Sequence, residues 1–578
     1  MSRIIFFLNA MLFFSCCSSQ EISLITQQIE ALDKEQPEPS NIVTPLGKEF
    51  TINVRNQKQF DKVNEKILTA VKSGEKNIIV KYKKGVYRFK ENHISLQGLL
   101  KKNCSIRFVG RQAILTSYDN IHDSEIEPWM EMAEADDLIK IIDKEKKICF
   151  IPFKNDFSQD KRESITNVQV TQWYWTTIYD VLNVDSNGIL FYAHDLTIET
   201  RCSNRGYNVN SDYLYCGKIP RFRLYDRRYP YTGKASCFLN IQNTEGITVD
   251  FSGIRFKGNK NGDGLIILNQ LKTKQIYIHN CEFENIHSIV AAVTTTENVT
   301  FDHNLIKNID RSGLHFTNGC SNVRITNNVF DNCGKNLGQT FCVNCGEANY
   351  YIADNIFRDF GYSAIGVGIW HGNKKSLSSS GIIENNELYF TPTYFKNVWK
   401  YTIMDSGAIY TWTQNDKVII RRNYIHDYVG MGDNRGIFCD DGSSNIKIIG
   451  NLILNIPNSY CIDLRRVKDH KNSSFNNANN IMAYNIVDGP LRFMGYFEGE
   501  ERQNFKLTNY IMQKKSGIKA INKYENLMVN ESDVVIECEV PSSQRILVNK
   551  NGLGILKSTP SYQGLEKYLK RKVKKVSK

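Results

Sequence analysis

Three consecutive stretches decide the fold: Ile276–Ile286 (IYIHNCEFENI), Val299–Ile309 (VTFDHNLIKNI) and Val323–Cys333 (VRITNNVFDNC). Each alternates apolar and polar residues, breaks at an Asn, and resumes with a second short apolar alternation. Period-2 alternation rich in β-branched residues describes strands, and recurrence at a near-constant spacing describes stacked coils. The pattern continues as YYIADNIFRDF, IIENNELYF, VIIRRNYIHDY, IKIIGNLILNI and IMAYNIVDG, with Asn at 280, 304, 328, 355, 386, 423, 451 and 485. Helical solenoids are excluded by the alternation. The expectation is an all-β chain, a right-handed parallel β-helix in which these asparagines stack at one turn and satisfy backbone groups of adjacent coils.

The intervals between these asparagines are 24, 24, 27, 31 and 37 residues up to Asn423. Insertions therefore gather between about Cys333 and Arg435, and insertions in a solenoid line its binding face. They carry Trp370, His371, Tyr394, Trp399, Asp405, Tyr410, Trp412, His426, Asp433 and Arg435. Carboxylates, imidazoles and flat rings together suit a carbohydrate, whose apolar faces stack on aromatics while its hydroxyls need polar partners.

Outward from the repeat, the chain divides into six stretches. Residues 1–16 form an export signal: Arg3 precedes the apolar run Ile4–Phe14, too short to span a bilayer, and Ser15–Cys16–Cys17 follows. An apolar run ending in Ser-Cys resembles the bacterial lipobox, which implies acylation of Cys16, anchoring at the outer-membrane surface and a Gram-negative envelope location. Residues 17–42 form a polar tether. Residues 43–117 hold a strand, an amphipathic helix (Phe60, Val63, Ile67, Leu68, Val71) that caps the open end of the coil, and the first coils. Residues 118–236, rich in Trp and Tyr, alternate as paired strands and suggest an inserted antiparallel β-domain, where Trp173 and Trp175 share a strand face as core or as a sugar platform. Residues 237–490 are the β-helix with its groove. Residues 491–578 are closing coils or a cap with a basic end.

Charge and cysteines exclude some classes. The net charge is +12, but Lys567–Lys578 carries seven of those charges, which leaves the body at about +5. That balance argues for no nucleic-acid partner and a solvated tail. Thirteen cysteines lie beyond Cys17. Several sit in strand-like runs where a small apolar residue would serve, and the lone Cys342-Val-Asn-Cys345 reads as core or disulfide rather than metal. A monomer without cofactor is expected.

The succession GVGIWHG (366–372), MDSGAIYTW (404–412), VIIRRNYIHD (418–427) and GIFCDDGSSNIKIIGNLILN (436–455) resembles bacterial right-handed β-helix proteins of the glycoside hydrolase family 141 type, within the pectate-lyase-like superfamily. That family's form runs approximately GISVGW, SDMGGIYT, VIRNNxIHD, GIYLDEGSSG. The resemblance is close over about 360–455 and holds in outline over 43–490. It implies glycosidic cleavage by acidic residues at Asp405 and at Asp440 or Asp441. One departure is CIDLRRV, where many relatives place a His-containing turn.

Glycoside hydrolysis needs a protonated carboxylic acid and a carboxylate about 5 Å away for retention or about 6.5–9.5 Å for inversion. Coils stack about 4.8 Å apart, so carboxylates on neighbouring coils fall in that range. With Ile437 and Cys439 inward, parity points Asp440 into the groove and starts a turn at Asp441; Ala408, Tyr410 and Trp412 then face outward, with Trp412 beside Asp440. Aligning GAIYTW on RGIFCD puts Asp405 beside Asp433, while aligning YCID on IFCD stacks Asp463 on Asp440. Trp370, His371, Tyr410, Trp412, His426, Arg435 and Arg465 complete the expected substrate contacts. The alternatives are a polysaccharide lyase or uronate epimerase, with a base among Lys400, Arg421, Arg422, Arg465 and Arg466 and calcium as a possible cofactor, and a non-catalytic glycan-binding β-helix.

Overall fold

The computed structural model describes most of residues 48–465 and short strand segments as far as Val535. Residues 1–47, 536–578 and internal stretches including 126–128, 133–138, 194–212, 227–235, 370–378, 393–405, 429–433, 441–442 and 466–480 lie outside the description.

The chain is a parallel β-helix with three faces. The first face contains Leu239–Glu245, Ile266–Lys272, Leu314–Thr317, Phe341–Cys345, Ser363–Ile369, Ser406–Thr413, Asn434–Cys439 and Ile462–Arg465, each paired in parallel with its neighbours in adjacent coils. The second face runs from Thr248–Ser252 through Gln275–His279, Cys320–Thr326, Ala348–Ala353, Ser379–Glu384 and Asn415–Arg421 to Ile446–Ile449. The third runs from Arg255–Asn259 through Glu282–Ile286, Leu305–Ile309, Val329–Cys333, Ile356–Arg358, Glu387–Tyr389 and Tyr424–His426 to Leu452–Leu454. Inward residues of all three faces merge into one core. At the N-terminal end the helix Val63–Lys72 buries Val63, Ile67, Ala70 and Val71 against it. Between Trp129 and Asp226 a separate eight-stranded antiparallel sheet has its own core around Val168, Tyr179, Ile189 and Phe191.

The asparagine stack lies at the turn from the second face to the third. Each Oδ1 accepts the backbone N–H of the preceding rung, at 2.9–3.1 Å from Asn304 to Asn485. Each Nδ2 donates to a carbonyl in the preceding coil, such as Ile278 for Asn304 and Ile352 for Asn386. The first rung corrects the sequence register. Asn304 Oδ1 receives the N–H of Cys281, 23 residues back, so Cys281 holds the rung and Asn280 holds the left-handed position before it (φ 52°). That position belongs in later coils to His303, Asn327, Asp354, Asn385, Arg422 and Gly450; all but Arg422 are glycine or residue types that tolerate positive φ readily. Asn386→Ala removes the acceptor of the Asn355 N–H and the donor to the Ile352 carbonyl. Stranding buried backbone groups costs roughly 1–3 kcal/mol each. A loss of about 2–3 kcal/mol is expected in denaturant unfolding, and an unshifted midpoint would refute the ladder's energetic role.

From Ser252–Arg255 onward this turn keeps its length in each described coil. The added residues fall elsewhere, at 335–339, 393–405 and 429–433 between third- and first-face strands and at 370–378 and 466–480 between first- and second-face strands. These insertions occupy two sets of turns, and both border the first face.

From Leu314 onward the first-face strands share a second regularity: two successive residues point inward at the start, a small one and then a branched one. The pairs are Gly313–Leu314, Cys342–Val343, Ala364–Ile365, Ala408–Ile409, Gly436–Ile437 and Cys461–Ile462. A Cβ on Gly436 would lie 2.6 Å from Ile453 Cγ2 of the third face, and one on Gly313 3.4 Å from Phe330 Cε1. In these coils the corner has room for little more than a small side chain, which explains Cys342 and Cys461 as packing residues. The ten described cysteines are all buried free thiols.

Candidate active site on the first face

Beyond each small–branched pair the alternation resumes, so Tyr410, Trp412, Phe438 and Asp440 project from the outer side of the first face. Tyr410 stacks on Phe438 in register, and the backbone N–H of Asp440 donates to the Thr411 carbonyl (3.0 Å), which sets Asp440 level with Trp412. The Tyr410 hydroxyl donates to Asp440 Oδ2 at 2.5 Å. Ser443 pins the strand end: its N–H and Oγ both donate to the Asp440 carbonyl (3.1 and 2.7 Å), and its Oγ lies 2.9 Å from Thr411 Oγ1.

An aromatic cluster outside the core surrounds this pair. Phe341, Tyr362, Tyr410 and Phe438 are all buried, with Trp412 half-buried against them. Tyr410 meets Phe438 and Trp412 edge-on, with centroids 5.1 and 5.2 Å away. Gly366 makes space for the cluster, since a Cβ there would lie 2.4 Å from Phe341 Cε1. Asp440 is 5% exposed, a carboxylate on the solvent side of a sheet yet enclosed by rings. Such enclosure is expensive for a charge unless the carboxylate is used or well bonded. Burial pushes the adjacent Cys439 thiol up to about 12, so the neighbouring residue supplies no thiolate.

Several expected placements change. Ala408 lies in the core rather than the groove, because it is the small member of an inward pair. Asp463 pairs in register with Phe438, two residues from the position that would stack it on Asp440. Its carboxylate instead accepts from Arg435 Nε at 2.7 Å, with both side chains essentially fully buried. The Arg435 guanidinium lies 3.9 Å over the Phe438 ring, so this pair forms the floor under the cluster rather than a free acid and a free sugar contact.

His426 is not in the groove, because the strand that follows each asparagine rung belongs to the third face. It is clamped between Tyr389 and Tyr424, with centroids at 4.8 and 4.1 Å, and its ring nitrogens lie 2.8 Å from Asp427 and 3.3 Å from Glu387. Burial pulls its pKa down, but hydrogen bonds and charge from Asp427 and Glu387 outweigh this and hold it above 6.5. A raised folded-state value means the contribution to stability is present in acid and lost as pH rises through that value. His426→Gln is expected to flatten the fall in thermal midpoint across that interval; an unchanged slope would count against it.

Arg421 and Arg422 also lie away from Asp440. Arg421 is buried on the second face, its Nε 2.5 Å from Glu384, which also accepts from the Tyr351 hydroxyl at 2.6 Å. Arg422 occupies the left-handed corner before Asn423. Cys16, Trp173, Trp370, His371, Tyr394, Trp399, Lys400, Asp405, Asp433, Asp441 and Arg466, and the side chains of Trp175 and Arg465, fall outside the described residues. Among the described residues no group of three or more His, Cys, Asp or Glu gathers to hold a metal ion. Phe341, Tyr362 and Phe438 escaped the sequence reading because alternating aromatics look the same whether they face the core or the groove.

No family model and no curated protein matches the chain. Among solved structures it is similar to a glycoside hydrolase at 12% identity, covering 76% of this chain and 96% of that one with a TM-score of 0.47. It is similar to the A-module of mannuronan C-5 epimerase AlgE4 of Azotobacter vinelandii at 8% identity, covering 82% and 97% with a TM-score of 0.39. An exopolygalacturonase from Thermotoga maritima is similar at 11% identity, covering 84% and 96% with a TM-score of 0.33. At these identities and superpositions the likeness extends to none of their activities.

Proposed function

We propose that the outer side of the first face hydrolyses a glycosidic bond in a polysaccharide, with Asp440 as its ionised carboxylate. The observation that carries this reading is the Tyr410–Asp440 bond inside an aromatic enclosure on the solvent side of the sheet. A hydroxyl that donates to a carboxylate favours the charged form. Asp440 therefore suits the nucleophile, or the base that activates water, rather than the proton donor. Asp405 and Asp441 are the two acids left for the donor role, since Asp463 is committed to Arg435. The aromatic rings supply apolar surface for a pyranose face. Of the candidate bases for a lyase or epimerase, Arg421 and Arg422 are turned to other parts of the coil. With export and acylation at Cys16, the enzyme would act at the cell envelope.

The test is digestion of a polysaccharide panel by the wild-type protein and Asp440→Asn. New reducing ends from the wild type alone support hydrolysis. Cleavage that survives in Asp440→Asn refutes the assignment, and products with the ultraviolet absorbance of an unsaturated uronate would establish elimination instead.

A further inference from the structure

Several outward polar side chains on the second and third faces are tied to one another. On the second face His279 bonds Asp250 at 2.9 Å, and Thr326 and Tyr277 donate to Asp302 at 2.7 and 3.2 Å. On the third, Arg358 bonds Asp331 at 2.8 Å. On the first face Thr294 and Thr317 lie 3.1 Å apart, but three neighbouring side chains differ. Arg311, at the corner entering Leu314–Thr317, His315 within that strand, and Asn344 opposite it in the next coil are half-buried. Among the described residues none of these three side chains has a hydrogen-bond or ion-pair partner. Burial lowers the His315 pKa, and the charge of Arg311 lowers it further, so the imidazole is neutral and offers both a donor and an acceptor.

Nearby carboxylates are engaged elsewhere. Asp310 is fully buried against His287 at 2.5 Å, Asp331 holds Arg358, and Glu347 accepts the Asn318 N–H at 3.0 Å. The open side chains share an outer row with the candidate active site: His315, Asn344, Gly366, Tyr410 and Phe438 occupy successive coils in register. Four coil spacings of about 4.8 Å separate His315 from the strand of Asp440, about 19 Å in all. Gly366 brings no side chain of its own to the row between them, and the Phe341 ring fills the space it leaves, so an aromatic surface joins the two ends.

We propose that Arg311, His315 and Asn344 form a distal subsite for an acidic sugar, a uronate or another carboxylated unit, in a glycan laid along the helix axis towards Asp440. The Arg311 fork matches a carboxylate, while the amide and imidazole match ring hydroxyls. The substrate is then an extended acidic polymer rather than a mono- or disaccharide. This assignment rests on the hydrolase reading for its direction towards Asp440, but binding can be measured apart from cleavage.

The full-length Asp440→Asn protein is titrated with alginate, polygalacturonate and an acidic heteroglycan such as xanthan, each beside its carboxyl-reduced form. Arg311→Ala in that background should weaken binding of the acidic form about tenfold or more, as expected for a lost charge-assisted contact. Binding of the reduced form should be unchanged, which also reports that the variant is folded. His315→Ala and Asn344→Ala should weaken both forms alike. Equal loss for both polymers in Arg311→Ala, no loss for either, or no binding of any acidic polymer would overturn the subsite. Cleavage surviving in Asp440→Asn would instead remove the hydrolase reading and leave the binding comparison standing.

Discussion

Asp440→Asn is expected to reduce glycan cleavage by roughly 10²–10⁴-fold, the range for loss of a positioned acid–base or nucleophilic group, with little change in thermal midpoint. The amide is isosteric and still accepts from the Tyr410 hydroxyl, so the enclosure survives while the negative charge is lost. Tyr410→Phe probes the same bond from the other side. It should leave partial activity and move the acidic limb of the pH–rate profile upward, since an unbonded carboxylate in a ring of aromatics protonates more easily. Comparing kcat/KM across pH for the three proteins tests both claims. A Tyr410→Phe profile superimposable on wild type would show that the phenol does not tune Asp440.

The second large effect concerns stability. Asp463→Ala leaves the Arg435 guanidinium buried without its partner, and breaking one side of a buried pair costs about 3–5 kcal/mol. Arg435→Met with Asp463→Leu removes both charges and should recover much of that loss, because the desolvation penalty disappears with the attraction. Urea unfolding of the single and double variants checks this. If Asp463→Ala abolished cleavage at an unchanged unfolding midpoint, Asp463 would be a catalytic acid after all. The two aspartates thus separate by experiment: loss of cleavage is the expected mark of Asp440 and loss of stability that of Asp463.

The β-helix was legible because its repeat is written in chemistry that only stacked coils require, an amide at all but the first rung and in most coils an Asn, Asp, His or glycine before it. Asp440's direction was legible for the same reason, since parity holds over the four residues from Ile437. Parity fails one residue earlier. Gly436 and Ile437 both turn inward, so counting back through Ala408 gives the wrong side. The same blind spot misplaced Asp463. Matching aspartate to aspartate was tempting, but the coils align through Gly436–Ile437 on Cys461–Ile462, a small–branched pair visible in the sequence and not weighted. His426 was drawn into the groove by closeness in sequence to Trp412, although Asn423 three residues earlier already fixes the third face for it. The Arg435–Asp463 pair and the grouping of Arg311, His315 and Asn344, without partners among the described residues, depend on which coils neighbour which, and no single stretch carries that information.

The asparagine ladder has a consequence for how this chain can change. Successive described rungs are separated by as few as 23 residues and as many as 37, yet their hydrogen bonds are alike. Every difference in coil length is absorbed beside the first face, so scaffold and site are written in separate parts of each coil. Segments 370–378 and 393–405 are then exchangeable parts, and replacing them with the corresponding segments of another β-helix should alter which glycan is accepted while the unfolding transition stays where it was.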